Sequence, residues 1–266
     1  MTFRSRRTTS GSVLPARPAR PAPGQIDLWI LDATPDQAEF ARRIVENTPV
    51  LDDSARRRAD RFVHPRLRDG HLVAQVALRL AISRYLGTDP GQPVLSRAPC
   101  PTCRRAHGRS LIAGSGADSL QFSVAHAGGL AVCAIAATPV GLQMADVHTV
   151  PWHAVDGLLH PAEKVLVDRV PAVRRPLAAL TCWVRKDAYL RGSDTGLDLD
   201  PAAVYVGLGP AFADGASARA LAPPGWGLLP ISIPGVLAAA ALSLPEGVAR
   251  PLLHARYTDL GKLLPQ

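Results

Sequence analysis

The fold class of this chain is indicated most clearly by residues 120–146, which read LQFSVAHAGGLAVCAIAATPVGLQMAD. Its first residues alternate between apolar and more polar side chains, which is typical of a strand with one buried face. A glycine pair precedes a continuous apolar run over residues 130–137, and a run that is apolar at both parities indicates a strand covered on both faces. After a proline comes a third apolar segment, Val140–Met144. We therefore predict consecutive short strands joined by tight turns.

The flanking sequence predicts helices followed by a small sheet on each side of this stretch. Upstream, apolar spacing and capping residues predict a strand over 26–31, helices over 36–47, 55–62 and 66–86, and a loop over 88–118. Downstream, the same criteria predict helices over 161–170 and 176–191 and strands over 198–206, 226–233 and 237–244. The pattern indicates an α+β protein made of two similar halves. We expect a disordered Arg/Pro-rich tail over 1–24, an N-terminal half over 25–146 and a C-terminal half over 147–266.

The charge and hydropathy of the chain favour neither nucleic acid nor a membrane as partner. The net charge is +8, but residues 1–24 contain five arginines and no acid, so the remainder is only mildly basic. We find no basic motif with interleaved aromatic residues, and therefore expect no nucleic-acid partner. No apolar run reaches the roughly 18 residues of a spanning helix, and the N-terminus lacks the apolar core of a secretory signal. We expect a cytoplasmic protein.

Cys100, Cys103 and His107 form a CxxC sequence followed by a histidine. These are three potential zinc ligands with no obvious fourth. The hypothesis favoured by the sequence is a loop with reduced cysteines and no metal. Cys133 and Cys182 lie inside apolar runs and are expected to be buried small hydrophobic residues.

Several blocks of the chain resemble one known family. They are RADRF at 58–62, FSVAHAG at 122–128, PVGLQMAD at 139–146, HPAE at 160–163 and WVRKDAYLR at 183–191. Their order and spacing resemble the surfactin-type branch of the 4'-phosphopantetheinyl transferase superfamily over about residues 25–245. The resemblance implies a pseudo-twofold, two-half α+β fold. It also implies a monomer that transfers phosphopantetheine from coenzyme A to a serine of an acyl or peptidyl carrier protein.

The same resemblance implies a set of cations that bind the phosphates of coenzyme A. It maps them onto Arg58, Arg79, Arg109, His126 and Lys186, and charge-assisted donors suit such a ligand. Two alternatives stay open from the residues themselves. The arginines could belong to a solvated helix face or an ordinary loop, and His126 could be a core histidine.

The implied catalytic residues lie mainly in the block at 183–191. Asp187 replaces the family's glutamate and is the candidate base, while Lys186 and Arg191 are candidate cations for the leaving group. Asp187 and Arg191 share one helix face and could also be a plain i,i+4 ion pair worth a few tenths of a kcal/mol. In a reaction without metal, His126 or Asp187 could act as the general acid or base.

The implied magnesium site has lost carboxylates. The family places two acids on one face of a strand, since side chains alternate with period two, and here Gln143 and Ala145 stand at those positions. Asp146 is the nearest acid, but it points to the opposite face unless a bulge follows Ala145. The expected metal ligands are Asp187, Gln143 and Asp146, and Mg²⁺ binding is expected to be weak.

Three functions are therefore open. In the first, the chain is a working phosphopantetheinyl transferase with an unusual metal site. Alternatively, it is a neofunctionalised enzyme on the same fold that acts on a carrier-bound or free natural-product intermediate. A third alternative is a non-catalytic binder of coenzyme A or of a carrier protein.

Overall fold

The structure is a computed structural model that describes residues 17–100, 103–113, 120–150, 152–193, 195, 199–212, 222–248 and 250–264. The chain divides into two compact units. The first unit comprises Met1–Ser96, Ser110–Ala137 and Leu252–Gln266, and the second comprises Arg97–Arg109 and Thr138–Pro251. This division differs from the predicted halves, because the segment after Ala137 belongs to the second unit and the C-terminal segment to the first.

The elements are numbered in chain order. The helices are α1 Pro35–Asn47, α2 Asp53–Asp60, α3 Pro65–Leu86, α4 Pro161–Arg169, α5 Arg175–Gly192 and α6 Leu260–Leu263. The strands are β1 Gln25–Asp32, β2 Leu95–Arg97, β3 Ser110–Ile112, β4 Gln121–Ala127, β5 Leu130–Ala136, β6 Val140–Asp146, β7 Trp226–Ile233, β8 Val236–Ser243 and β9 Leu252–Thr258.

The first unit is a four-stranded sheet with helices packed on it. The strand order is β4-β5-β1-β9, with β5 antiparallel to both of its neighbours and β9 parallel to β1. The predicted turn between β4 and β5 is confirmed, and Gly128 and Gly129 both adopt positive φ there. Helix α3 packs against β4 and β5, and Gly87, whose φ is 68°, is its left-handed C-cap.

The second unit is a three-stranded antiparallel sheet, β6-β8-β7, against which α5 packs. The approach of α5 to β6 depends on Gly141. A Cβ at this position would lie 1.9 Å from the carbonyl oxygen of Ala188 and 2.6 Å from the nitrogen of Gly192. Only glycine allows the two backbones to meet this closely, and the contact fixes which β6 side chains face the helix.

Strand β9 is an element that the sequence did not predict. It joins the first sheet beside β1, where Asp27 is almost fully buried. Asp27 accepts a hydrogen bond from the Tyr85 hydroxyl and pairs with Arg256 of β9 at 2.9 Å. Burial raises the pKa of Tyr85, with the Asp27 carboxylate adding to the shift. The charge of Asp27 thus gives β9 a specific partner within the unit.

Three further expectations differ from the structure. A strand was predicted over 198–206, but its described part contains a 3-10 turn, Pro201–Ala203; Asp198 lies outside the described residues. The turn forms because the Asp200 side chain accepts a hydrogen bond from Ala202 N at 2.9 Å, and because proline has no N–H to donate to a neighbouring strand. The predicted loop over 88–118 contains β2 and β3, which form a two-stranded sheet.

The third concerns the predicted disordered tail. Residues 1–16 lie outside the described residues. Residues 17–24 pack on the first unit, with Pro18 and Pro21 buried and Arg17 Nε donating to the Tyr85 carbonyl at 3.3 Å.

Among the described residues, no helix combines the length and the apolar composition that crossing a membrane requires.

Candidate functional site

Asp187 on α5 faces Gln143 on β6 inside the second unit. Gln143 Nε2 donates a hydrogen bond to Asp187 Oδ2, and Arg191 Nε donates to the same oxygen at 2.9 Å. The orientation of the Gln143 amide is supported by its Oε1, which accepts from the backbone nitrogen of Met144 at 3.0 Å. Asp187 is buried whereas the Arg191 side chain is 45% exposed. The carboxylate therefore forms an ion pair with one guanidinium and accepts a hydrogen bond from one uncharged amide.

The other residues of this strand face supply no oxygen ligand. Ala145 is buried in an apolar cluster with Val184 and Ala188 of α5. Its strand keeps an unbroken register with β8 through Asp146, which pairs with Val236. Asp146 therefore stays on the opposite face, and its Oδ1 accepts from the backbone nitrogen of His148 at 2.8 Å.

The side chains around Asp187 do not provide the ligand atoms that a magnesium ion requires. Magnesium requires near-octahedral oxygen ligation and is usually held by carboxylates together with substrate phosphates. Among the described residues, Asp187 of α5 supplies the one carboxylate opposite this face of β6, and its Oδ2 is already the acceptor for Gln143 and Arg191. Gln143 presents its NH₂ group, a donor, toward that carboxylate. The structure does not bring Asp146 to this face.

Lys186 lies on a different side of α5 and is fully buried. Its Nζ pairs with Glu163 Oε2 at 2.7 Å and donates to the Leu158 carbonyl at 2.9 Å, and both charged side chains have no exposed surface. Glu163 Oε1 also accepts from the backbone nitrogens of Val206 and Gly207 at 2.7 and 3.1 Å. The geometry makes Lys186 part of the core of the second unit, which Trp183 also packs against.

Glu163 is an important residue to which sequence reasoning gave no role. It closes a capping box at the start of α4, where Oε2 accepts from His160 N at 2.8 Å and His160 Nδ1 accepts from Ala162 N at 3.1 Å. The spacing HPAE signals this box. It does not signal that the same carboxylate also binds Lys186.

In the first unit, α2 carries an open depression of about 440 Å³ lined by Ser54, Arg57, Arg58, Arg61 and Phe62. We call this the cationic depression. None of the described residues that line it is acidic, and its volume lies within the roughly 300–1,000 Å³ of ligand pockets. Three guanidinium groups around one concave surface are suited to phosphate oxygens, to which arginine binds in a bidentate manner.

His126 adjoins the cationic depression through Phe62. The rings of His126 and Phe62 lie 5.9 Å apart, and His71 of α3 lies 5.4 Å from His126 and 5.0 Å from Phe62. Gly70 makes room for the imidazole, since a Cβ there would lie 3.3 Å from His126 Nδ1. The structure thus brings Arg58 and His126 to one region, together with Arg57, Arg61 and His71, which were not predicted to act there.

His71 is buried, and its Nε2 has no hydrogen-bond partner among the described residues. Burial lowers its pKa from 6.5 to about 4, and the positive charges of His126, Arg58 and Arg79 act in the same direction. The folded state therefore holds His71 neutral in a positively charged environment.

We expect the stability of the protein to fall with acid because of His71. Between pH 6.5 and 4 the unfolded chain binds a proton that the folded chain excludes, so the free energy of unfolding decreases as pH falls through this window, by up to about 3 kcal/mol. His71→Leu should remove this component in urea titrations at pH 4 and 7. His64→Gln, which changes an exposed histidine of the same unit, should retain it. Equal pH dependence of the native protein and His71→Leu would contradict the assignment.

Two other predicted phosphate ligands lie away from the depression's lining. Arg79 is buried and pairs with Asp52 Oδ2 at 2.9 Å while also donating to Gln75 Oε1 at 2.9 Å. Arg109 is partly buried in the second unit, and its carbonyl accepts from Ala98 N at 2.9 Å. Arg79 is connected to α2 through Asp52, whose Oδ1 accepts from Ala55 N at 2.8 Å at the start of that helix. Arg109 belongs to the loop that carries Cys100.

Comparison with known proteins gives a distant sequence similarity. No protein-family model matches the chain. It is 26% identical over 179 residues to the 4'-phosphopantetheinyl transferase HetI of Nostoc sp., a similarity that covers 65% of this chain and 70% of the relative. This distant similarity supports placing the chain in the 4'-phosphopantetheinyl transferase superfamily.

Proposed function

We propose that this protein binds coenzyme A and transfers its 4'-phosphopantetheine to a serine of an acyl or peptidyl carrier protein. The observation that carries the proposal is the cationic depression of the first unit. The similarity to a phosphopantetheinyl transferase supplies the reaction class. The proposal includes the pseudo-twofold arrangement of the family and its carrier-protein partner.

The ligand chemistry follows from the side chains around the depression. Coenzyme A carries a diphosphate and a 3'-phosphate, and each phosphate needs several donors. Arg57 and Arg58 of α2 and Arg61 directly after it provide them, and Phe62 offers an apolar ring at the same surface. His126 adjoins that ring and adds a further donor when protonated. We assign this surface to the phosphorylated end of coenzyme A.

The acid–base chemistry is assigned to Asp187. Gln143 and Arg191 both donate to its Oδ2, and Oδ1 accepts no hydrogen bond from the described residues. Oδ1 is therefore the atom that takes the proton from the attacking serine. Arg191 is half exposed and close to the carboxylate, so it also serves as the cation beside the departing phosphate.

A second candidate is a coenzyme A binder that transfers nothing. It is favoured by one observation, the pairing of Asp187 with both Gln143 and Arg191. Both hydrogen bonds hold the carboxylate in place, as a binding role without transfer also allows. Tight binding of coenzyme A without any modified carrier would favour this function.

The test combines binding and transfer. Titration calorimetry with coenzyme A should give an affinity that Arg58→Ala with Arg61→Ala lowers by about a hundredfold or more, since two charge-assisted bonds are lost and each is worth about 1.5–3 kcal/mol. Arg43→Ala, at an exposed arginine of α1, should leave the affinity unchanged. Apo carrier proteins incubated with the native protein and coenzyme A should gain the mass of one phosphopantetheine. Binding unaffected by the double variant, or no modified carrier across a panel, would contradict the proposal.

A further inference from the structure

The loop between β2 and β3 brings together three metal-binding side chains outside the site described above. The Sγ atoms of Cys100 and Cys103 and a ring nitrogen of His107 all lie within 4.8 Å of one another. Cys103 Sγ and His107 Nε2 are 2.8 Å apart, and Cys100 is fully buried. Both cysteines carry thiols. Among the residues that the structure describes, this is the one convergence of three such donors.

The backbone holds the donors in a tight turn. Arg104 N donates to the Cys100 carbonyl at 2.9 Å, and Cys100 N donates to the Arg105 carbonyl at 2.8 Å. Arg104 has a φ of 64°, and it is the one residue other than glycine with positive φ in the described parts of the chain. Such a conformation is costly for a residue with a side chain and persists where the surroundings require it. Here it turns the chain directly after Cys103, so that His107 comes back to both thiols.

The loop is anchored at both ends within the second unit. Ala98 N donates to the Arg109 carbonyl and Gly108 N to the Ala98 carbonyl, each at 2.9 Å. The anchors fix the separation of the two cysteines from His107. The donors are therefore positioned before any ligand arrives, which lowers the entropic cost of binding one.

The distances fit a tetrahedral zinc ion. With Zn–S near 2.3 Å and Zn–N near 2.0–2.1 Å, the edges between ligand atoms are roughly 3.5–3.8 Å. The donors already lie within 4.8 Å of one another, and the hydrogen-bonded pair Cys103–His107 has to open by only about 0.7 Å. Two thiolates and an imidazole select zinc over magnesium or calcium, which prefer oxygen ligands.

We propose that Cys100, Cys103 and His107 bind one zinc ion, with water or another exogenous ligand in the fourth position. Binding releases the two thiol protons, and the ion neutralises the thiolate charge that would otherwise be buried at Cys100. The ion joins the turn at Cys100 to the returning chain at His107. Its role is to hold the loop over 97–109 in one conformation, independently of phosphopantetheinyl transfer.

The test measures metal content and coordination on the full chain. Protein produced with zinc and purified under reducing conditions should contain one zinc per chain by mass spectrometry of the metal. After chelation, Co²⁺ should give the strong visible bands of a tetrahedral site and a thiolate charge-transfer band. Cys103→Ser and His107→Gln should each lower the affinity for zinc by at least about tenfold in competition with a chelator. His148→Gln, which changes an exposed histidine of the same unit, should leave the affinity for zinc unchanged. Zinc that remains as tightly bound in either ligand variant, or an octahedral cobalt spectrum, would overturn the proposal.

A second measurement needs no variant. Arg104 and Arg105 are exposed between two of the proposed ligands, and trypsin cleaves after arginine. Zinc should slow cleavage at these bonds in the native protein, because proteolysis follows the population of the opened loop. Cleavage there at equal rates with and without zinc would overturn the proposal.

Discussion

Replacing Glu163 by alanine is expected to lower the free energy of unfolding by roughly 3–5 kcal/mol, the range for breaking a buried ion pair. The ammonium group of Lys186 would remain fully buried, and among the described residues the Leu158 carbonyl would be its one remaining partner. The backbone nitrogens of Val206 and Gly207 would also lose their acceptor. Urea unfolding followed by tryptophan fluorescence measures the change.

Two companion variants make this result specific. Lys186→Met should cost less than Glu163→Ala, because Glu163 then keeps three backbone N–H donors, including that of His160. Asp156→Ala breaks an exposed pair with Lys164 in the same unit and should change stability by at most about 1 kcal/mol. A loss below about 1 kcal/mol for Glu163→Ala would show that this network does not hold the unit together.

Replacing Asp187 by asparagine is expected to lower the rate of carrier modification by roughly 10²–10⁴-fold, the usual contribution of a general base. Asparagine has nearly the same shape and can still accept from Arg191 through its carbonyl oxygen. It cannot take the serine proton. We therefore expect kcat to fall while the affinity for coenzyme A, measured by calorimetry, stays close to that of the native protein.

The control for this variant is Asp168→Asn, which changes an exposed acid on α4 of the same unit. It should transfer phosphopantetheine at the native rate. An Asp187→Asn variant as active as the native protein would remove Asp187 from the reaction. The proton would then have to go to another group.

Much of the fold could be predicted because its signals are local. The alternation before Gly128, the apolar run after Gly129 and the glycine at the end of α3 each determine an element through residues close in sequence. Strand β9 could not be predicted in the same way. It depends on Arg256 meeting Asp27, a partner more than two hundred residues away.

The sequence predicted which residues belong to the candidate site better than it predicted where their side chains lie. The motif predicted Asp187 and Gln143 as members of one site, and the structure brings these two side chains into contact. Asp146 was also expected among the metal ligands, but the regular register of β6 keeps it on the other face. The motif could not show that Lys186 turns inward to Glu163, because neighbouring positions on a helix face different environments. His71 was missed for a similar reason, since its contact with His126 joins a helix to a strand.

The most direct test of the central claim is the mass of an apo carrier protein followed over time with coenzyme A, with either magnesium or EDTA present. Asp187, Gln143 and Arg191 form the proposed transfer site, and their side chains do not offer the oxygen ligands that magnesium requires. We therefore expect the carrier to gain phosphopantetheine under both conditions, with rates that differ by less than about tenfold, or 1.4 kcal/mol in barrier. Modification that occurs only with magnesium, or no modification in either condition, would contradict this expectation.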